Sequence, residues 1–193
     1  MIRTALTTKH WCVLVLQTSV IDIRPAQAAD ARAYLCFLKA VAKETPYVAL
    51  PAELATLTPL FTEFLIASIL ESQQDVLLLA FDQQQIVGAI RVNSPTEQGL
   101  THISEVSIAV LKAKWHRGIG SDLMAHLLAS VREIGNPRRL ELTVQARNHR
   151  AIALYKRFGF VTEAQLAAGF YAPETGYIPV VQMCQLMNMD EEI

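Results

Sequence analysis

Lys112, Lys114, His116 and Arg117 crowd the approach to two glycines one residue apart, Gly118 and Gly120. Residues of these types in this order suit the holding of a phosphorylated ligand. The first turn of a helix carries backbone N–H groups without intrahelical partners, at the positive end of its dipole. Glycines there let a phosphate approach the main chain, because no Cβ stands in the way. A chain with a net charge of only -1 has thus gathered positive charge at one short stretch. Two glycines alone also suit a plain strand-to-helix turn flanked by solvated lysines. The Gly-Lys-Ser/Thr ending of a P-loop is missing. A dinucleotide fingerprint needs a third glycine where Leu123 stands, although Glu141 lies where its ribose-binding acid would fall.

Regular elements must hold this loop in place. The run Glu105 to Val110 reads as an apolar strand. Its alternation puts Glu105, Ser107 and Ala109 on one face and Val106, Ile108 and Val110 on the other. Beyond Gly118, a helical stripe of Ile119, Leu123, Leu127, Val131 and Ile134 is widened by Met124 and Leu128. Gly135-Asn136-Pro137 stops that helix. A second strand, Leu140 to Val144, leads to Asn148, the cap of a short helix that turns Ala151, Ile152, Leu154, Tyr155 and Phe158 inward before Gly159.

Upstream, Val20 to Arg24 alternates like a strand that Pro25 ends, and Asp30 to about Lys43 reads as an amphipathic helix. A proline-bounded loop through Pro46 and Pro51 leads to a very apolar helix, roughly Leu60 to Ser72. Asp75 to Phe81 and Gln85 to Val92 read as a hairpin, its first strand buried on both faces. After Gly159, a strand from Phe160 to Gln165 precedes a glycine- and proline-bearing loop, Gly169 to Tyr177, and the last strand is Val180 to Leu186.

The run Asn148-His149-Arg150-Ala151-Ile152-Ala153-Leu154-Tyr155-Lys156-Arg157-Phe158-Gly159-Phe160 resembles the signature of the GNAT superfamily of acyl-CoA-dependent N-acetyltransferases. That signature usually reads Asn-x-x-Ala-x-x-Leu-Tyr-x-Lys-x-Gly-Phe. The run Trp115 to Ser121 is similar to the family's Gln/Arg-x-x-Gly-x-Gly/Ala pyrophosphate loop, with Trp115 in place of Gln or Arg and, further on, Arg157 in place of Lys. The resemblance spans about Ile21 to Leu186. It implies the GNAT fold, an α/β class with a central six- to seven-stranded mixed β-sheet flanked by about four helices. Residues 20–193 then form a single domain behind an N-terminal extension at 1–19.

It also implies chemistry. Acetyl-CoA would be the co-substrate, its pantetheine running between two splayed parallel strands, with a free N–H among Ile108, Ala109 and Val110 polarising the thioester carbonyl. Arg117, Gly118, Ile119, Gly120 and Ser121 would hold the pyrophosphate, Asn148 the pantetheine arm and Arg157 the phosphate end. Tyr155 would protonate the departing thiolate, since a phenol pKa of about 10 is close to that of a thiol. Glu105 would be the base, its pKa raised by burial, with His102 and Glu141 as weaker candidates. The loop after Glu44 and the segment Gly169 to Gly176 would wall the acceptor, a small-molecule or protein amine.

Alternatives to this enzyme are a catalytically silent acyl-CoA-binding regulatory module and a nucleotide-binding α/β protein. Balanced charge, 17 basic against 18 acidic residues, argues against a broad nucleic-acid surface. No apolar run reaches the roughly 18 residues of a membrane span. Three scattered cysteines, Cys12, Cys36 and Cys184, and five histidines without ligand spacing suggest reduced thiols, a cytoplasmic protein and no metal. A homodimer is compatible with the family.

Overall fold

The apolar run Val76 to Phe81 is buried throughout, as a strand covered on both faces must be. Around it the computed structural model describes residues 20–47, 56–72 and 74–187. The expected extension at 1–19, Cys12, the loop around Pro51 and the terminal acidic run lie outside the described residues. The elements are β1 (Ile21–Pro25), α1 (Ala31–Glu44), α2 (Pro59–Glu71), β2 (Val76–Asp82), β3 (Gln85–Asn93), β4 (Ile103–Val110), α3 (Ile119–Ile134), β5 (Arg139–Gln145), α4 (His149–Arg157), β6 (Val161–Ala172) and β7 (Gly176–Leu186). The strands form one seven-stranded mixed sheet in the order β1-β2-β3-β4-β5-β7-β6. Only β4 and β5 run parallel.

The sheet is covered on both faces. A Cβ at Gly88 in β3 would meet Leu123 and Ile119 of α3. Tyr34 of α1 instead feels the charge of Arg91, which strand alternation puts on the opposite face from Gly88. Helix α3 is the main anchor. Ile119, Leu123, Met124, Leu127, Leu128 and Val131 are buried, and each such side chain contributes about 1.5 to 3 kcal/mol. That easily offsets the cost of about 1 kcal/mol for Gly120 in the first helical turn. Ile134, expected on the buried stripe, is exposed at the last position of α3. Gly135 closes α3 in the left-handed conformation, its N–H on the Val131 carbonyl at 3.1 Å.

One expectation about the last hairpin needs correction. The loop expected from Gly169 to Tyr177 is mostly a continuation of the β6–β7 hairpin, with Phe170 opposite Ile178 and Tyr171 opposite Tyr177. Gly169 belongs to the strand, where a Cβ would collide with Val180 Cγ2; it serves close approach rather than a turn. In α2, Phe61 and Phe64 are exposed while Thr62, Ile66 and Ile69 are buried. No helix among the described residues is long and apolar enough to cross a membrane.

Candidate active site

Strands β4 and β5 pair only through Ile103–Arg139, Ser104–Leu140 and Glu105–Glu141, and then part. Ladder alternation decides what lines the gap. Leu111 N–H bonds the Val87 carbonyl of β3, whereas the His102 carbonyl receives Arg138 and Arg139 N–H from the β5 side. Even-numbered residues of β4 therefore turn their backbone groups towards β5. Past Glu105, those of Val106, Ile108 and Val110 border the gap. Ala109, expected to offer its N–H there, spends its backbone on β3, opposite Ala89, and reaches the cleft only through its side of the strand.

Tyr155, Glu105 and the residues expected to hold the donor line one cleft of about 440 Å³ at this parting, whereas His102, Glu141 and the segment Gly169 to Gly176, expected on the acceptor side, do not. At one end lies the mouth of α3. Gly118 caps the helix with φ of 84°, a left-handed conformation that glycine adopts without strain. Its carbonyl receives the N–H of Ser121 at 2.8 Å and of Asp122 at 3.0 Å. Ser121 thus spends its amide inside the turn, contrary to expectation. Among the described residues, the N–H groups of Ile119 and Gly120 have no acceptor and remain available to an anion. The basic cluster is also redistributed. Lys114 is paired with Asp82 at 2.5 Å, and Lys112 does not line the cleft. Arg117, Arg150 and Arg157 supply the positive charge facing it.

Helix α4 brings the remaining groups. Asn148 Oδ1 accepts the Ala151 N–H at 3.2 Å, so its oxygen caps the helix while its amide nitrogen is left for the cleft. Arg157 donates to the Ser121 hydroxyl, tying α4 to the first turn of α3. Tyr155 is the buried residue of this helix, its ring 5.9 Å from that of Phe160. Among the described residues nothing bonds its hydroxyl, yet the oxygen is not sealed off, so it opens to the cleft.

Burial pushes the Tyr155 phenol up to about 12, above the value of about 10 of an unfolded tyrosine. The phenol is therefore held protonated, as a proton donor requires, but it is a weaker acid than the free phenol whose value was expected to match a thiol. Its stabilising effect is complete below pH 10 and is lost as pH rises through 12, because the unfolded state gives up the proton first. Urea unfolding between pH 9 and 12 is expected to show a loss of roughly 2 kcal/mol that Tyr155→Phe lacks. Tyr34, whose phenol burial also raises, adds a slope of the same sign to both proteins.

Glu105 lines the cleft on an exposed face, so the burial expected of it is not there. No ion pair engages it among the described residues, whereas neighbouring Glu141 is tied to Arg139. His102 is exposed in the turn before β4.

Three contributors, Arg150, Gln145 and the Glu44 carboxylate, were not singled out from sequence, and Trp115 was noted there only as a departure from the family's loop. Trp115 donates its indole N–H to the Val110 carbonyl at 2.8 Å, clipping the loop to the end of β4. The guanidinium of Arg150 lies 3.8 Å from the Trp115 ring centroid, and the desolvation it meets there lowers its pKa. Gln145, buried at the end of β5, donates to the Pro46 carbonyl at 2.6 Å and accepts from Arg147 at 2.9 Å. On the other strand's side, Glu44 accepts the Lys112 N–H at 2.8 Å. These contacts hold Thr45 and Tyr47 in the cleft wall. A polar residue closing an apolar strand was the one signal for Gln145; the stack of Trp115 and Arg150 joins distant segments and leaves none.

Known proteins share this fold. Residues 40–160 match the acetyltransferase (GNAT) family. An acetyltransferase of the GNAT family from Streptococcus pneumoniae superposes with a TM-score of 0.83 at 32% identity, covering 87% of this chain and 100% of that one. The Salmonella typhimurium protein yncA, solved with its cofactor acetyl-CoA, has the same fold, with a TM-score of 0.76 at 18% identity over 87% of this chain and 94% of that one. A curated N-alpha-acetyltransferase of Sulfolobus acidocaldarius is 37% identical over 67 residues, 35% of this chain and only 39% of that relative's length.

Proposed function

The chain belongs to the acetyltransferase (GNAT) family, and from that premise we propose that it transfers an acetyl group from acetyl-CoA directly to a primary amine. The observation that carries the reading is the cleft itself. Free N–H groups of Ile119 and Gly120, the opened edge of β4 and the Tyr155 hydroxyl all face one space. The site fits the co-substrate: a glycine-bordered helix mouth and unpaired cations suit its phosphates, and the parted strands suit its extended arm. The remaining support for the nucleotide alternative, Glu141, is tied to Arg139 and does not line the cleft.

When bound, coenzyme A supplies an activated acetyl group and a thiolate leaving group. The protein does the rest. A main-chain N–H of Ile108 or Val110 donates to the carbonyl oxygen as charge gathers on it. Glu105, unpaired and exposed at the parting, attracts the ammonium form of the acceptor and takes its proton, directly or through water. Tyr155 gives its proton to the sulfur. The acceptor enters past Thr45, Tyr47 and Thr143, which line the same cleft. A protein α-amine is the first acceptor to test, given the curated N-alpha-acetyltransferase relative. Free thiols at Cys36 and Cys184 agree with a reducing, cytoplasmic setting.

Acetyl-CoA at about a hundred times its Kd is expected to raise the melting temperature by about 5 to 10 °C, and thiol release is expected with at least one member of a panel of peptide and small-molecule amines. A shift by NAD without one by CoA would overturn the reading. Binding of acetyl-CoA with no thiol release on any amine would leave a regulatory module instead of an enzyme.

A further inference from the structure

Three arginines face the cleft, and they are held differently. Arg157 is bonded to the Ser121 hydroxyl. Arg117 sits exposed on the loop, and nothing among the described residues receives its N–H groups. Arg150 likewise has no carboxylate, carbonyl or hydroxyl partner among the described residues, yet it is fixed in place, its guanidinium lying over the Trp115 ring at 3.8 Å.

Stacking occupies the face of a guanidinium and leaves the donors on its edge free. The indole does not compete for a ligand, since its single N–H is committed to the Val110 carbonyl at 2.8 Å. Trp115 is itself clipped to β4, so it serves as a rigid plate on which the cation lies. Two other forks show what satisfaction looks like: Arg24 grips Asp30 through 2.7 and 2.8 Å bonds, and Arg139 holds Glu141 and Glu163. Arg150 is exposed, and the desolvation it does meet lowers its pKa with no carboxylate beside it to reverse the shift. A flat cation with free donors, sharing a cleft with the open N–H groups of Ile119 and Gly120, fits an anion with several oxygens.

We propose that Arg150, carried on Trp115, grips the diphosphate of the coenzyme A donor from the α4 side while the first turn of α3 holds it from the other. The assignment rests on the donor reading above. It differs from a plain charge effect, because the geometry selects the phosphates nearest the helix mouth over the 3′-phosphate on the ribose.

Titration calorimetry with CoA, dephospho-CoA, 4′-phosphopantetheine and pantetheine tests this. Arg150→Ala is expected to weaken CoA and dephospho-CoA by the same factor, about tenfold. It should weaken 4′-phosphopantetheine less and leave pantetheine unchanged. Arg150→Lys should recover only part of the loss, as a point charge lacks the fork. Trp115→Ala should approach the Arg150→Ala loss, and the double variant should lose little more than either alone. Equal loss across all four ligands, or loss confined to CoA, would overturn the assignment while leaving the donor reading intact. Failure of the unaltered protein to bind any of the four would remove both.

Discussion

Replacing Tyr155 with phenylalanine is expected to lower turnover by about 10² to 10⁴-fold while CoA binding changes little, the usual worth of a positioned acid. The substitution is well isolated from folding at neutral pH. The ring is buried against Phe160, and a phenyl ring in its place would keep that packing. No bond within the described residues depends on the hydroxyl, so its removal orphans no buried partner. The phenol's pKa of about 12 also means that the acidic form persists across ordinary assay pH. Steady-state rates at saturating acetyl-CoA, set beside calorimetric affinities, separate the two effects. Undiminished turnover would take Tyr155 out of the mechanism.

Gly120→Glu is the second large effect, and here stability and binding should move in opposite directions. A Cβ at this position meets only Leu154 Cδ2 at 3.5 Å and Ile108 Cδ1 at 3.9 Å, ordinary contacts that the fold accepts. A non-glycine residue favours the helix by about 0.5 to 1 kcal/mol, and a carboxylate in the first turn adds about 0.3 to 1 kcal/mol through the dipole. The melting temperature should therefore hold or rise. Affinity for CoA should fall by at least about 10²-fold, because a negative side chain stands where phosphates meet the N–H groups and hydrogen bonds to charged groups contribute about 1.5 to 3 kcal/mol each. Gly120→Ala, which adds the methyl without the charge, should fall between the two. Equal CoA affinity in Gly120→Glu would place the phosphates elsewhere.

How far these features were legible in the residue order depends on the range of the contacts involved. Helix α3 could be read from end to end because its signals are local: Gly118 and Gly135 adopt left-handed conformations at its two ends, and apolar residues recur between them. Ile134 was misjudged because periodicity reports which side a residue faces and not whether the packing reaches the last position of the helix. The β6–β7 hairpin was cut short by Gly169, Pro173 and Gly176. Of the two glycines, only Gly176 turns the chain, with φ of 74°, while Gly169 yields room to Val180. The parting of β4 and β5 came from the family resemblance, and the structure has it. Lys114 was expected to serve phosphate but meets Asp82, a residue far away in sequence that no local pattern could pair with it. The expected burial of Glu105 failed for a similar reason, since exposure at a strand's parting is set by what stands opposite.

The short stretch Glu44 to Pro46 touches both sides of the opening: Glu44 takes the N–H of Lys112 beyond β4, and Pro46 takes the amide of Gln145 from β5. It works as a spacer bar, fixing how wide the two strand ends stand apart.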